Sequence, residues 1–550
     1  MLPGGGPTTL HSKINGEPLL HDDGGSYGQC QILRFRALAA FTQAQARAIS
    51  SATPEPVSDC SLTSLKPKQI KFGEKVINHG HDCRIRTTGE MTAEIEVRSQ
   101  SVAASASVEN RMSSPSTDVA YLCWSDYVGI TRCRGVPAAD LPKRMDKGLG
   151  WAAAAQALTP FDNIADNPWG PMTEVRQTPQ PETKVRLDLW PGTPAFHILM
   201  CDSNLNDGTN WECCTRGFMK KALRDFEAET GLRFTAAFEH EFLLSGPDLP
   251  LTTPLSLEAM RVAAGFTGAL AEALAAAGLE PETIEPEYGI NQYEVSSAPA
   301  AGTMAGDRAV LTREVIREVA RRHGYRASFT PKPAPNAVGN GAHVHFSFIA
   351  QDGSNAAFDP SGTAEASQLA QHFAAGLVRF LPDICALVAG SPVSYYRLGP
   401  HHWSCGYASF GVQNREAAVR ICPSPDADPA RRQSGFNMEL RAPDATASPY
   451  MVVGAILRAG LEGIRAKLPM PTPIDRDPSE LTPEQMKALG VVPLPASLEE
   501  ALARLEASAA VRQWMSPTFL SSYVSVKRKE IAMMEGKSPE EICAMYRDAY

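Results

Sequence analysis

The stretch 'RFTAAFEHEFLL', residues 233–244, places two acidic residues inside a run that otherwise resembles a buried β-strand. Successive side chains of a strand point to opposite faces, so Glu239 and Glu241 share one face while Phe238, His240 and Phe242 take the other. Two neighbouring carboxylates are costly in a buried strand that offers no counter-charge. The strand therefore either borders solvent at the edge of a sheet or presents its acidic face to cations.

Two later stretches repeat this pattern of polar residues on one face of an apolar strand. In 'GAHVHFSF', His343, His345 and Ser347 share a face, opposite a valine and two phenylalanines. In 'FNMELRAP', Glu439 and Arg441 share a face, opposite a methionine and a leucine. Each strand alone is explained by exposure to solvent, but their recurrence favours a common site.

A further pair of acids lies in 'EPEYGINQYEV', where Glu287 and Glu294 flank Gly289. Glycine lets the backbone turn there, so both acids can converge. Carboxylates with a minority of imidazoles are the ligands that hard divalent cations prefer. The strands therefore predict a site for divalent metal ions.

Arginines accompany these strands at Arg397, Arg415, Arg420 and Arg441. Their planar guanidinium groups suit carboxylates and phosphates. Acids for metal ions together with arginines for oxyanions indicate phosphoryl transfer from a nucleotide. No G-x-x-x-x-G-K-[ST] or G-x-G-x-x-G motif occurs between a strand and a helix, which excludes the P-loop and Rossmann types of nucleotide site.

Composition narrows the class of protein further. The chain has 550 residues and a formal net charge of −9, and it lacks a dense basic cluster, so we expect small-molecule substrates and no nucleic acid. The most apolar segment, 'YMVVGAILRAGLEGI', is too short to span a bilayer before Arg458, so no membrane partner is expected. Its 12 cysteines are scattered without a C-x-x-C motif, which favours a reducing, cytoplasmic location.

Residue composition and the pattern of apolar and polar positions divide the chain into three segments. Residues 1–116 are rich in glycine, serine and threonine and are expected to be a mostly disordered extension. A second interpretation is that the native chain begins at Met112. Residues 117–205 alternate between apolar and polar positions and predict a small, mostly β domain, which begins with two strands joined at a turn near residues 126–129. Residues 206–550 mix strands and helices in a larger α+β domain. Its predicted helices include one from about Ser256 to Ala277 and one from Asp307 to His323, with Asp307 as the N-cap.

The segments 'FEHEF', 'EYGINQYE', 'NGAHVHFSF', 'RLGPHHW', 'NREAAVRI' and 'MELRAPDATASPY' resemble, in this order, the active-site motifs of the glutamine synthetase family. The resemblance runs from about residue 117 to the C-terminus. It implies a β-grasp N-terminal domain followed by a catalytic domain built on an antiparallel sheet. It also implies ring-shaped homo-oligomers in which a neighbouring subunit completes each active site.

The resemblance further implies ATP, a pair of Mg²⁺ or Mn²⁺ ions, and roles for individual residues. One ion would be held by Glu241, Glu287 and Glu294, and the other by Glu239, His343 and Glu439. The nucleotide would contact His345, Ser347, Arg415, Arg420 and Glu282. Glutamate would be held by Gly339, Arg397 and Arg441, and Trp403 would be a further substrate-binding residue, on the side of the amine.

The flap that follows 'RLGP' departs from the ammonia-using members, which carry a glutamate where this chain has Trp403. An indole cannot accept a proton, although its face can hold a cation. We therefore expect an ATP-dependent ligase that forms a γ-glutamyl amide from glutamate and a larger amine, with His401 or His402 taking the proton. The alternatives are glutamine synthetase itself, using ammonia, and a non-catalytic ring-forming homologue.

Overall fold

The larger of the chain's two units, residues 115–550, is built from two mixed sheets and a set of surrounding helices. The computed structural model describes residues 118–424 and 426–550 in full and, nearer the N-terminus, the backbone of three strands. These strands, β1 (Ile77–Asn78), β2 (His81–Thr88) and β3 (Thr92–Arg98), form an antiparallel sheet within a separate unit, residues 1–114. Sequence analysis predicted no strand there, although 'TAEIEVR' alternates as a strand does. The rest of the predicted disorder lies outside the described residues.

The first sheet of the larger unit begins with a hairpin. Strands β4 (Val119–Ser125) and β5 (Thr131–Pro137) pair antiparallel, as the sequence predicted. The remaining strands are β6 (Leu149–Ala152), β7 (Glu174–Pro179), β8 (Val185–Leu187) and β9 (Phe196–Asn204). Their order is β5-β4-β9-β7-β6, with β8 beside β9 and the β4–β9 pair parallel. The sheet is thus mixed, and its assignment as a β-grasp fold stays a prediction.

The hairpin turn joins this sheet to the catalytic part of the chain. The Asp126 carboxylate accepts hydrogen bonds from the backbone N–H groups of Val128 and Ile130, at 3.0 and 2.9 Å. Gly129 has φ +72°, and a Cβ atom there would lie 2.8 Å from the Ala445 carbonyl oxygen. The turn therefore requires glycine both for its backbone conformation and for its close contact with a later loop.

Replacing Gly129 by alanine is expected to lower the free energy of unfolding by about 1–3 kcal/mol, because the left-handed backbone and the contact with Ala445 both become strained. Urea unfolding followed by tryptophan fluorescence measures this loss. Gly208→Ala is the control, since Gly208 also has positive φ, +86°, but has no heavy atom within 4 Å of the added Cβ. Equal losses in both variants would show that the contact with Ala445 contributes nothing.

The second sheet has nine strands, in the order β11-β12-β10-β15-β19-β18-β17, with β13 and β14 beside β10. Its strands are β10 (Arg233–Ser245), β11 (Pro281–Pro286), β12 (Gln292–Ser297), β13 (Ala300–Ala301), β14 (Arg326–Ser328), β15 (Ala342–Ile349), β17 (Phe410–Val412), β18 (Val419–Ile421) and β19 (Met438–Leu440). A separate pair is formed by β16 (Tyr407–Ala408) and β20 (Val492–Pro493). The pairs are antiparallel, as predicted, except for β17–β18, which is parallel.

The helices cover the apolar face of this sheet and the outside of the unit. In chain order they are α1 (Leu141–Met145), α2 (Thr215–Thr230), α3 (Leu257–Val262), α4 (Ala264–Ala276), α5 (Met304–Arg322), α6 (Gln368–Val388), α7 (Ser394–Arg397), α8 (Pro429–Gly435), α9 (Pro449–Arg465), α10 (Pro483–Leu489), α11 (Leu498–Ala507), α12 (Val511–Trp514), α13 (Pro517–Met534) and α14 (Pro539–Ala549). Short 3₁₀ turns occur at Ala138–Asp140, Ala153–Ala157, Pro181–Thr183, Thr363–Glu365 and Pro478–Glu480. None of the described helices is long and apolar enough to cross a membrane.

Two helix predictions are corrected. The sequence predicted one helix from Ser256 to Ala277, but α3 and α4 are separated at Ala263, whose φ and ψ are −99° and 14°. Asp307 was expected to cap the next helix, whereas α5 begins at Met304 and Asp307 lies fully buried in its first turn. The Asp307 carboxylate accepts two hydrogen bonds of 2.8 Å from Arg216, so a tertiary ion pair uses the acid that local reasoning assigned to a cap.

Candidate active site

The central strand β10 answers the question raised by its two glutamates. Its apolar face is buried: Phe238 and Phe242 are 4% and 0% exposed. His240 lies on that face, with its ring 5.7 Å from the Phe238 ring, and burial holds the pKa of this imidazole well below its usual range. His240 is therefore a core residue, and Glu239 and Glu241 lie on the opposite, polar face.

The pairing of strands brings the other predicted ligands to the same face. Glu239 lies opposite His343 on β15, and Glu241 lies opposite Glu294 on β12. On the far side of β15, Glu439 of β19 lies opposite His345. Because residues directly opposite each other on paired strands share a face, the strand register alone assembles these acids and imidazoles.

Glu239 forms the centre of the first group of side chains. Its Oε2 atom lies 3.3 Å from His343 Nδ1 and its Oε1 atom 3.0 Å from His345 Nε2. Burial opposes ionisation of Glu239, but these two contacts outweigh burial and hold its pKa well below the ordinary value. Glu439, which is 0% exposed, has its Oε1 atom 3.7 Å from His343 Nδ1. Glu239 is therefore an ionised carboxylate beside two imidazoles.

The second group consists of the acids Glu241, Glu287 and Glu294, of which only Glu241 has an ion-pairing contact among the described residues, with His343 Nδ1 at 3.6 Å. Glu294 is 5% exposed, and burial together with the charges of Glu239 and Glu241 raises its pKa well above the ordinary value. Burial and the charge of Glu241 raise the pKa of Glu287 to about 6. Gly341 donates its N–H to Glu241 Oε2 at 2.9 Å, which fixes the orientation of that carboxylate. Mutual repulsion inside this group favours a bound cation.

The donor set fits hard divalent cations. Ligand atoms of Glu239, Glu294 and His343 lie within 4.8 Å of one another, as do those of Glu285, Glu287 and Glu294. A Cβ atom on Gly341 would lie 2.5 Å from His343 Nε2, so glycine keeps the space beside that imidazole open. Carboxylate oxygens with one imidazole match the preference of Mg²⁺ and Mn²⁺.

Sequence reasoning missed several side chains that border these groups. Glu285 lies opposite Glu294 in the β11–β12 pair. The Gln292 amide donates to the Gly339 carbonyl at 2.7 Å and to Glu241 Oε2 at 3.3 Å. Cys422 Sγ lies 3.5 Å from His345 Nδ1. Glu285 could have been predicted, because Glu285 and Glu287 form the same E-x-E pattern as Glu239 and Glu241.

Two of the predicted arginines are paired with the buried acid of β19. Arg420 and Arg441 both form ion pairs with Glu439. Arg441 also donates to the Trp403 carbonyl at 2.7 Å. The Glu439 carboxylate is thus paired with two guanidinium groups, and through Arg441 it is connected to the flap.

The other two predicted arginines differ in their surroundings. Arg397 is 3% exposed and donates to the Pro443 carbonyl at 3.0 Å. Its Cγ atom would lie 2.7 Å from a Cβ atom on Gly339, so these two predicted glutamate-binding residues are adjacent. Arg415 is exposed and has no ion pair among the described residues. Its guanidinium group is therefore available to a ligand.

The residues predicted to contact the nucleotide lie at separate places on the sheet. His345 Nδ1 lies 2.9 Å from Asn437 Oδ1, beside the metal-ligand groups. Ser347 is buried and donates to Asn355 Oδ1 at 2.7 Å. Glu282 is exposed on β11 and makes no side-chain hydrogen bond within the part of the chain that is described. The structure brings His345 to the metal groups but leaves Glu282 away from hydrogen-bonding partners.

The flap, residues 397–406, presents the remaining predicted residues. His401 Nδ1 lies 2.8 Å from Asp477 Oδ2, and the His401 side chain is 72% exposed. His402 Nδ1 lies 3.2 Å from the Arg397 carbonyl oxygen. Trp403 is 66% exposed, and its backbone N–H donates a hydrogen bond to Glu416 Oε1 at 3.1 Å. The flap therefore offers two imidazoles and an exposed indole.

Comparisons with known proteins agree with this arrangement. Residues 103–211 match the family model for the glutamine synthetase N-terminal domain, and residues 212–546 match that for the glutamine synthetase catalytic domain. The γ-glutamylpolyamine synthetase of Streptomyces coelicolor is 30% identical over 444 residues, which cover 78% of this chain and 93% of that protein. The glutamine synthetase of Pyrococcus furiosus is 28% identical over 416 residues, covering 74% and 89%.

A solved structure described as a novel glutamine synthase homolog has a TM-score of 0.73 and 40% identity, covering 80% of this chain and 99% of that one. The catalytic family model alone spans more than half of the chain, and it includes all of the predicted metal ligands. This chain therefore belongs to the glutamine synthetase family.

Proposed function

We propose that this protein is an ATP-dependent ligase that joins the γ-carboxyl group of L-glutamate to an amine through γ-glutamyl phosphate. The observation that carries the proposal is the polar face of the catalytic sheet, where carboxylates and imidazoles converge and where the positive charge of Arg415 acts on Glu287. The flap beside it has Trp403 where ammonia-using members have a glutamate. The γ-glutamylpolyamine synthetase relative supports an organic amine as the acceptor.

The metal-ligand assignment keeps the two sets that the family resemblance implies, and the convergence of acids and imidazoles on one face of the sheet supports it. We assign Glu241, Glu287 and Glu294 to one divalent ion, and Glu239, His343 and Glu439 to the other. Bound Mg²⁺ or Mn²⁺ would neutralise the negative charge that accumulates when a carboxylate approaches a triphosphate. Without cations the acids repel each other, and this repulsion adds to the effect of burial in raising the pKa of Glu294.

The substrates are assigned to the residues around these groups. His345, Ser347, Arg415, Arg420 and Glu282 are assigned to ATP. Gly339, Arg397 and Arg441 are assigned to glutamate, and Trp403, on the flap, is assigned to the amine. Arg415 is exposed and unpaired within the described residues, so it is free to contact the transferred phosphoryl group.

The chemistry has two steps. A γ-carboxylate oxygen of glutamate attacks the γ-phosphorus of ATP, and ADP leaves. This converts a poor leaving group, oxide, into a good one, phosphate. The amine nitrogen then attacks the γ-carbonyl carbon, the C–O bond to phosphate breaks, and a γ-glutamyl amide remains.

His401 and His402 are assigned to removing the proton from the amine. Replacing both by asparagine is expected to lower kcat about a hundredfold, since a positioned general base contributes at least that much. Phosphate release at saturating ATP, glutamate and amine measures the loss. Full turnover in the double variant at neutral pH would exclude the histidines from proton transfer.

Glutamine synthetase activity is the second candidate, because the relatives include glutamine synthetases such as that of Pyrococcus furiosus. The third candidate is a non-catalytic homologue. Phosphate release with ATP, magnesium, glutamate and a panel of amines separates the three. Activity with a larger amine supports the ligase, activity with ammonia alone supports glutamine synthetase, and no activity with any acceptor supports the non-catalytic homologue.

We further expect a cytoplasmic, ring-shaped homo-oligomer in which the N-terminal domain of a neighbouring subunit completes each site. Light scattering after size-exclusion chromatography measures the number of subunits. A monomer with full ligase activity would reject this arrangement.

A further inference from the structure

A buried carboxylate beside the flap has no cationic partner among the residues that the structure describes. Glu416, in the loop between β17 and β18, is 9% exposed. Its side chain accepts a hydrogen bond from the backbone N–H of Trp403 at 3.1 Å. Among residues 118–550, leaving aside position 425, no lysine, arginine or histidine forms an ion pair with Glu416. An ionised carboxylate in such surroundings is costly unless a cation joins it.

The cations nearest to Glu416 already have partners. His401 is paired with Asp477 at 2.8 Å, and Arg441 is paired with Glu439. Burial, reinforced by the charge of Asp477, raises the pKa of Glu416, although the hydrogen bond from the Trp403 backbone N–H and the charges of His401 and Arg441 act in the opposite direction. Within the described residues, the Glu416 carboxylate is therefore left without an ion pair of its own.

Glu416 is also connected to the metal-ligand groups. The backbone N–H of Trp403 donates a hydrogen bond to Glu416, and the backbone carbonyl of Trp403 accepts one from Arg441 at 2.7 Å. Arg441 in turn pairs with Glu439. One flap residue thus links the buried carboxylate to the face of the sheet where the acyl phosphate would form. Its indole is exposed and can cover an apolar or cationic group.

We propose that Glu416 binds the positively charged nitrogen of the acceptor, a primary alkylammonium ion, and that the Trp403 indole packs against its alkyl group. The inference rests on the proposed ligase function and adds to it the residue that selects the acceptor. It concerns binding of the cation before any bond changes. In this arrangement Glu416 takes the place of the flap carboxylate of ammonia-using members. It lies in the loop between β17 and β18 and contacts the flap through the Trp403 backbone N–H.

The test compares a charged with an uncharged acceptor in the wild-type protein and in Glu416→Gln. Glutamine keeps an oxygen that can accept the Trp403 N–H, so the flap retains its hydrogen bond. Hydroxylamine is uncharged at neutral pH, whereas alkylamines are cations. Initial rates are measured with ethylamine, longer alkylamines, ammonium and hydroxylamine, at saturating ATP, magnesium and glutamate. Glu480→Gln is the matched control, because Glu480 is exposed on a nearby 3₁₀ turn.

Glu416→Gln is expected to raise KM for the alkylamines about tenfold to a hundredfold, the effect of losing a hydrogen bond between charged groups. KM for ATP and for glutamate, and turnover with hydroxylamine, are expected to stay unchanged. The melting temperature should equal or exceed that of the wild type, because the variant removes an unmatched buried charge.

Three results would overturn the inference. An unchanged KM for the alkylamines in Glu416→Gln rejects Glu416 alone and leaves the ligase function standing. A parallel loss with hydroxylamine shows that Glu416 only supports the flap. Wild-type turnover with ammonium but with no alkylamine rejects both the alkylammonium class and the proposed ligase function.

Discussion

Replacing Glu294 by glutamine is expected to lower kcat by at least about a hundredfold and, in the absence of divalent metal, to make the protein more stable. Glu294 lies directly opposite Glu241 on one side and Glu285 on the other. Like charges directly opposite each other destabilise a sheet by up to about 1 kcal/mol for each pair. The amide removes both repulsions, but it is a much weaker ligand for Mg²⁺.

The measurement is thermal unfolding with and without magnesium or manganese, together with phosphate release. Wild-type protein should be stabilised by the metal through mass action, whereas Glu294→Gln should respond weakly. Glu272→Gln, on the exposed face of α4, is the matched control and should behave as the wild type does. A variant that is less stable than wild type without metal, or equally stabilised by metal, would contradict the assignment of Glu294.

Replacing Arg216 by methionine is expected to destabilise the protein by about 3–5 kcal/mol, the cost of leaving buried charges without a partner. Arg216 is 1% exposed and donates to Asp307 through two hydrogen bonds of 2.8 Å. It also donates to Asp202 at 2.6 Å. The ion pairs join β9 of the first sheet to α2 and α5 of the catalytic part.

Urea unfolding gives the free energy of this network. Tyr450→Phe is the comparison, since the Tyr450 hydroxyl donates to Asp307 at 2.7 Å but carries no charge, and its loss should cost only about 1 kcal/mol. A loss below about 1 kcal/mol in Arg216→Met would mean that methionine packing replaces the ion pairs without penalty.

Alternation along single strands made it predictable that the acids and imidazoles share a face. In β10 and β15 the apolar positions are buried and the acids and imidazoles take the other face, as the period of two residues indicated. The β4–β5 hairpin followed from the turn at residues 126–129. These features are local, so a short window of sequence contains them.

Residues that depend on contacts between distant segments were missed or misassigned. Glu416 belongs to 'NREAAVRI', where only its neighbours Arg415 and Arg420 attracted attention, and its role appears because the flap folds over it. Asp307 was interpreted as a helix cap because the sequence does not show that Arg216, 91 positions earlier, lies beside it. The break between α3 and α4 likewise has no proline or glycine to announce it at Ala263.

Local alternation and ordered motifs in the amino-acid sequence identify which strands carry charge on one face and which residues belong to the family's motifs. Tertiary structure alone decided which charges are matched, because matching depends on strand register and on loops that meet across long separations. Glu439 acquires Arg420 and Arg441, whereas Glu294 and Glu416 acquire no cation from the described chain. An acid that the fold leaves unmatched is where a metal ion or a charged substrate has the most to gain by binding.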